Sequence, residues 1–359
     1  MTTDFQKIFD LVENIDISNY SKNRNFIDGS VTKLSPYISR GVISTKFILE
    51  SLKKRNINLK KVEKFIQELA WRDYWQITWK NKNIDVDLKQ KQKDVKKYGV
   101  PENIIKSNTG IKVIDKAIHD LYISGYMHNH VRMYIASIIC NIGKCHWYIP
   151  AQWFYYHLID GDWGSNALSW QWVCGSNSSK KYIANQENIN KYCRDSQKNT
   201  FLDHSYEYLF NCGIPQEIEN VINPKLETSI LNESKGKIDC EKPILIYNYY
   251  NLDPFWRQDL NANRVLLLEP SFFKKFPVSD FVFNNFLKLA KNIRNIKIIY
   301  SEFNDLKQNY NKSQIYFKEH PTNIHYKGMC DERDWLFKTK SYYPSFFKFW
   351  NANKWELKI

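Results

Sequence analysis

The 359-residue chain has little glycine and little proline, 12 and 11 residues. With 43% hydrophobic residues, that composition excludes collagen-like, low-complexity and disordered chains. Its seven cysteines are an odd number and contain no Cys-x-x-Cys pair, which argues against a secreted disulfide framework. No apolar run approaches the roughly 18 residues that a membrane span requires. Met1 to Phe5 carry no charged-then-apolar signal pattern. A soluble, reduced, cytoplasmic protein with no membrane partner is expected. GxGxxG and GxxxxGK[ST] are missing, so a Rossmann dinucleotide site or a P-loop is unsupported. HExxH and the GxSxG nucleophile elbow are missing too. Cys145-His146 and His128/His130 fit no standard zinc spacing, and no metal is expected.

What is present is positive charge and aromatic rings. The formal net charge is +14, with 12 Trp, 23 Tyr and 21 Phe. A basic balance is the footprint of a polyanion binder, and rings beside the charge suit base stacking. The lysines are dispersed (Lys53-Lys54-Arg55, Lys60-Lys61, Lys89 to Lys97, Lys180-Lys181), as they also are on an ordinary solvated surface.

Residues 1–205 read as helical. Ile114, Ala117, Ile118, Leu121 and Tyr122 form a 3.6-residue stripe after the Thr109-Gly110 break, a core pattern. Phe65 to Trp79 and Arg132 to Ile142 predict two further helices. Residues 206–240, with Gly213, Pro215, Pro224 and Gly236, read as a connector. Residues 241–359 change character. Short apolar runs at 243–247, 265–268, 296–300 and 314–317, with a helical pattern from Phe281 to Ile293, predict a small α/β domain with a parallel sheet.

Four segments hold the candidate chemistry. They are Leu34-Ser35-Pro36-Tyr37-Ile38-Ser39-Arg40-Gly41 with Tyr20 and Arg24 upstream; Glu68-Leu69-Ala70-Trp71-Arg72-Asp73-Tyr74-Trp75; Gly125 to Met133; and Asp160 to Asn166 with Trp170-Gln171-Trp172. Glu68 and Trp71 share a helix face, as do Asn129, Arg132 and Met133. A carboxylate beside a broad ring suits a planar ligand with amide edges, such as a base. Arg132 is a candidate ion-pair partner for Asp160 or Asp162. Trp170 and Trp172 bracket one Gln and would point the same way in an extended stretch. Singly, a Trp is usually core and Glu68 a solvated residue.

Together, over roughly residues 15–190, these segments resemble the flavin-binding helical domain of the photolyase/cryptochrome family, nearest to the cyclobutane pyrimidine dimer photolyases. The usual N-terminal antenna domain is missing from the resemblance, because the helical domain begins near Met1. The 241–359 domain is similar either to a permuted antenna domain or to an unrelated accessory domain, and no antenna pigment is expected.

The resemblance implies FAD, which carries the electron chemistry while the protein positions and tunes it. Tyr20 and the Thr32, Lys33, Leu34, Ser35 stretch match positions that contact the diphosphate and ribose. Arg132 and Asp160 match the pair beside the isoalloxazine, Asp162 an acid contacting the flavin ring or ribitol, and Asn166 the amide facing flavin N5. Glu68 matches the carboxylate that hydrogen-bonds damaged bases, Trp71 and Trp172 the two rings around a flipped lesion, and Asn129 and Met133 the lesion pocket. Asn129 and Met133 stand where the 6-4 branch places histidines. The implied activity is light-driven electron transfer that splits cyclobutane dimers in double- or single-stranded UV-damaged DNA, by a monomer. Trp170 and Trp147 match the inner and middle members of a photoreduction chain. The outermost position falls near Asp94, so Tyr98, Tyr155, Trp153 or an external reductant must serve. His130 replaces an Arg that often supports DNA binding, which shifts the expected phosphate contacts to Lys180 and Lys181. The region from Lys180 to Cys193 is similar to an iron–sulfur branch, but four thiolates are not at hand and no cluster is expected. The alternatives are a cryptochrome-like blue-light photoreceptor, a 6-4 photoproduct repair enzyme, and a nucleic-acid binder that kept only the fold.

Overall fold

A computed structural model of the chain describes residues 1–230 and 234–358; residues 231–233, inside the expected connector, and 359 lie outside the described residues. The chain forms two compact units. The first comprises Met1–Asp16, Thr32–Lys80 and Glu227–Ile359, and the second Ile17–Val31 and Asn81–Leu226.

The first unit is built on a five-stranded sheet of β1 (Ile244–Tyr247), β2 (Asn263–Leu268), β3 (Lys297–Tyr300), β4 (Ile315–Lys318) and β5 (Met329–Asp331). The order is β3-β2-β1-β4-β5 and every pair is parallel. Ile246 sits opposite Val265 on one side and Phe317 on the other. All four residues of β1 are buried, as expected of a parallel strand covered on both faces, and this is why the strands read as unbroken apolar runs. The β2–β3 crossover contains the Asp280–Ala290 helix, capped by Ser279.

The N-terminal helices Phe5–Glu13, Thr45–Lys54 and Glu63–Asn81 belong to this unit with the sheet. This corrects the expected boundaries at 205 and 240. The reason is burial of charge. Arg40 is 1% exposed. It donates to the Tyr249 carbonyl at 3.1 Å and lies 3.7 Å from the centre of that ring. Gly41 follows with φ +65, and a Cβ there would meet the Tyr250 carbonyl at 2.4 Å. Only glycine combines that conformation with that approach.

Asp73 is the second tie. Its carboxylate accepts from Thr45 Oγ1 at 2.9 Å and from the Leu336 backbone N–H at 2.6 Å. The C-terminal segment is thereby fixed to the Glu63–Asn81 helix, with help from Tyr74 Oη donating to the Tyr343 carbonyl and Arg333 donating to Gln76. Burial raises the Asp73 carboxyl to about 6, against the opposing pull of the Leu336 N–H and Arg333.

The second unit is helical: Lys112–Ser124, Asn129–Ser137 continued by a π-helical turn over Ile138–Ile142, Tyr148–His157, Trp163–Cys174, Gln186–Cys193 and Tyr206–Asn211. Ile114, Ile118 and Leu121 are buried, as the stripe predicts. Part of the expected connector is folded here, since Val221–Ile222 pairs antiparallel with Val100–Pro101. No helix among the described residues is long and apolar enough to cross a membrane.

The Asp73 carboxyl has a folded-state pKa above its ordinary value of 3.8, so it contributes stability below about pH 4 that is lost as pH rises through about 6. Denaturant unfolding of wild type and Asp73→Asn should therefore show the wild type losing about 3 kcal/mol relative to the variant between pH 4 and 7. A pH-independent difference would mean that Asp73 does not titrate in the folded chain.

Candidate functional site

In the second unit, the Asn129–Ser137 helix opens at His128, whose Nδ1 accepts from the His130 N–H. Its first turns carry Asn129, Arg132 and Met133, with Asn129 exposed and the other two half-buried. Arg132 Nη2 donates to both oxygens of Asp160 at 3.0 Å, and Nε donates to the Met127 carbonyl at 2.9 Å. Of the two acids considered for Arg132, the structure pairs it with Asp160. Asp162 takes a different place: it caps the Trp163–Cys174 helix by accepting from the Ser165 N–H at 2.7 Å. Asn166, one residue on, donates to the Ala151 carbonyl at 2.7 Å. Tyr20 is half-buried in the short Tyr20–Asn23 helix.

Among the described residues, two buried polar atoms beside these have no hydrogen-bond partner: Ser165 Oγ and His130 Nε2. Such atoms are costly to bury unless something bonds them. Burial, with Arg132 nearby, lowers the His128 imidazole, and burial with His128 and Arg24 pushes His130 down to about 4. The His130 ring is therefore neutral near pH 7, and His128 is shifted in the same direction. His130 packs against Tyr134 and Tyr192, with centroids 4.9 and 4.8 Å away. It is therefore a neutral hydrogen-bonding group rather than a cation. Lys181, expected to contact phosphate, is instead mostly buried and bonded to Asp94 at 2.5 Å. Among the described residues no His/Cys/Asp/Glu group could hold a metal.

Trp170 and Trp172 do not point the same way. The stretch is helical rather than extended, so residues two apart are about 200° apart around the axis. Trp170 is buried, edge-on to Phe154 at 5.1 Å, whereas Trp172 is 41% exposed. The intervening Gln171 is buried and bonds the Leu88 N–H and the Ile84 carbonyl, both at 2.9 Å. Trp147 is fully buried, and its indole N–H donates to Asp87 at 2.8 Å. Trp163 donates likewise to Asp85 at 2.7 Å. Of the three residues expected to replace the outermost ring, Trp153 and Tyr155 are buried. Tyr98 is 65% exposed and stacks on His146, whose ring lies 5.7 Å from Trp147.

In the first unit, Thr32 Oγ1 accepts from the Leu34 N–H, Lys33 is exposed at φ +54, and Ser35 opens the Ser35–Ser39 helix. The Leu34 side chain is core, which leaves its backbone for any ligand. Glu68 is half-buried and pairs with Lys64 at 3.2 Å. Trp71, expected as one of the two rings around a flipped lesion, is half-buried. Phe346 lies on Trp71 with centroids 3.8 Å apart and planes within 9°, in the position a stacked base would take. Trp75 adds a ring at 4.7 Å. Phe346, Asp85 and Asp87 carried no local motif. Asp73 carried one that went unread, an acid on the buried stripe of the Glu63–Asn81 helix.

Residues 65–209 match the family model described as the FAD binding domain of DNA photolyase. A deoxyribodipyrimidine photo-lyase of Agrobacterium fabrum is 30% identical over 171 residues, 45% of this chain and 35% of that protein. Cryptochrome DASH of Danio rerio is 28% identical over 177 residues, 44% of this chain and 32% of that protein. A solved class III photolyase from Agrobacterium tumefaciens aligns with TM-score 0.42 at 26% identity, over 52% of this chain and 41% of that one. The chain spans about a third of the length of the curated relatives it matches first, 35% and 34%.

Phe346→Ala should lower stability by about 3–5 kcal/mol, as for other buried Phe truncations. It should also raise acrylamide quenching of indole fluorescence, and adding Trp71→Phe should remove the increase. Unchanged quenching would mean that the Phe346 ring does not shield Trp71.

Proposed function

We propose, from the match of residues 65–209 to the FAD binding domain of DNA photolyase, that this chain is a FAD-dependent enzyme that repairs cyclobutane pyrimidine dimers in UV-damaged DNA by light-driven electron transfer. The observation that carries this reading is the Arg132–Asp160 pair, set in the matched segment together with the orphaned Ser165 Oγ next to Asn166. A guanidinium pinned by a buried acid, an unbonded hydroxyl and an amide fit the polar edge of an isoalloxazine. Reduced FAD, when bound and excited by light, supplies the electron that opens the dimer and recovers it afterwards.

The chain's own residues do the rest. Thr32, Lys33 and Ser35 in the first unit, with the backbone of Leu34, would contact phosphate and ribose, and so would Tyr20 in the second. Asp162 fixes the start of the helix that carries Asn166, and so sets where that amide stands. Glu68 hydrogen-bonds the damaged bases and stabilises the charge they acquire. Exposed Trp172 supplies a stacking face, while Asn129 and Met133 contact the lesion. Trp71 carries Phe346 on one face, so in this reading Trp172 is the main stacking ring. Trp170 and Trp147 pass electrons inward, with Tyr98 as the exposed end. The Asp87 carboxylate on the Trp147 indole N–H favours the positive charge that this ring carries after giving up an electron.

One observation favours a second reading, a blue-light photoreceptor. A sensor has no use for an open stacking face, and Phe346 fills the one at Trp71.

The test is blue-light illumination of the reduced holoprotein with a thymine-dimer oligonucleotide. Restored thymines are expected, and Glu68→Ala should lower the yield with bound FAD unchanged. Tyr98→Phe should slow photoreduction severalfold without altering dark binding of damaged DNA. No restoration from a protein that photoreduces normally would leave the photoreceptor reading, and a protein that binds no flavin would end both.

A further inference from the structure

We propose that the outward face of the C-terminal segment, residues 338–358, is a contact surface for single-stranded nucleic acid, separate from the flavin chemistry. The Phe346–Asn353 helix, capped by Ser345, continues into a 3-10 turn over Lys354–Leu357. Its inward side buries Phe346, Phe349, Trp350, Asn353 and Leu357. Its outward side exposes two large rings, Phe347 at 62% and Trp355 at 70%.

Both rings are held in place although they face solvent. The Trp355 indole N–H donates to the Ala352 carbonyl at 2.9 Å. Phe347 stands edge-on to the buried Phe346, centroids 5.5 Å apart. A fixed exposed ring loses little freedom when a base stacks on it. Eight residues of helix separate the two by on the order of 12 Å, about three nucleotides at 3.4 Å each.

The charge around them suits a phosphodiester chain. Lys338, Lys348, Lys354 and Lys358 are exposed, and among the described residues none is paired with an acidic side chain. The segment's one acid, Glu356, is engaged by the Lys338 backbone N–H at 3.0 Å. Aromatic faces interleaved with lysines are the usual platform for single strands. A lipid surface fits less well. Insertion needs a continuous apolar helix face, and here that face is buried while Lys348, Asn351 and Lys354 lie between the exposed rings. A second copy fits less well too, because a self-complementary contact would bring like charges together.

The test is titration of the protein, in the dark, with an undamaged oligothymidylate, read by anisotropy of a labelled strand. Phe347→Ala with Trp355→Ala should weaken binding by about tenfold or more. Lys348→Gln with Lys354→Gln should lower the slope of log affinity against log salt by about 1.4, a readout that stands if the ring variant fails to fold. Unchanged affinity and slope in both variants would overturn the proposal. So would a wild type that binds anionic vesicles but not the oligonucleotide, or that self-associates through these rings. The repair assay under light is independent. Dark binding without repair would sink the repair reading alone, and repair without variant-sensitive dark binding would sink this one alone.

Discussion

The attachment of the C-terminal segment to the Glu63–Asn81 helix rests on one buried carboxylate. Asp73 reaches Thr45 on one side and the Leu336 backbone on the other. A charge this deep persists only with several donors around it, and those donors come from two stretches far apart in the chain. From that anchor follow the placement of Tyr343, Phe346, Phe349 and Trp350, and the parallel ring on Trp71. Arg40 does similar work at the loop after β1. The first unit is thus a sheet domain completed by N-terminal helices through buried charge as well as apolar contact.

In the second unit a comparable economy of ties surrounds the matched segment. Gln171 holds the loop at Ile84 and Leu88. That loop presents Asp85 and Asp87 to the indole N–H groups of Trp163 and Trp147. Two buried indoles thereby each donate to a carboxylate. Arg132 and Asp160 neutralise one another, and the nearby His130 imidazole is kept uncharged by burial.

Much of this was legible in residue patterns. The central strand β1 is apolar throughout because neighbours cover both faces, and β2 and β4 carry apolar runs beside it, whereas β5 escaped notice as a three-residue, mostly exposed edge. Helical spacing correctly grouped Glu68 with Trp71 and Asn129 with Arg132 and Met133. Trp170-Gln171-Trp172 was ambiguous locally, since alternating residues can belong to a strand or a helix. The cover on Trp71 could not be read at all, because Phe346 meets it only through the tertiary fold. The unit boundary was missed for a related reason: Arg40 looks like a surface charge until its distant partner is known, and the position of Asp73 on a buried stripe does not say which segment covers it.

The first unit is assembled from three separate stretches of chain. During synthesis its N-terminal helices leave the ribosome well before the strands they pack with, whereas most of the second unit is continuous and can close earlier. Long-range pairing of this kind slows folding and prolongs exposure of apolar surface. A nascent chain stalled after residue 226 would therefore hold the second unit's complete sequence while the helices of the first still wait for their sheet, a state suited to chaperone binding.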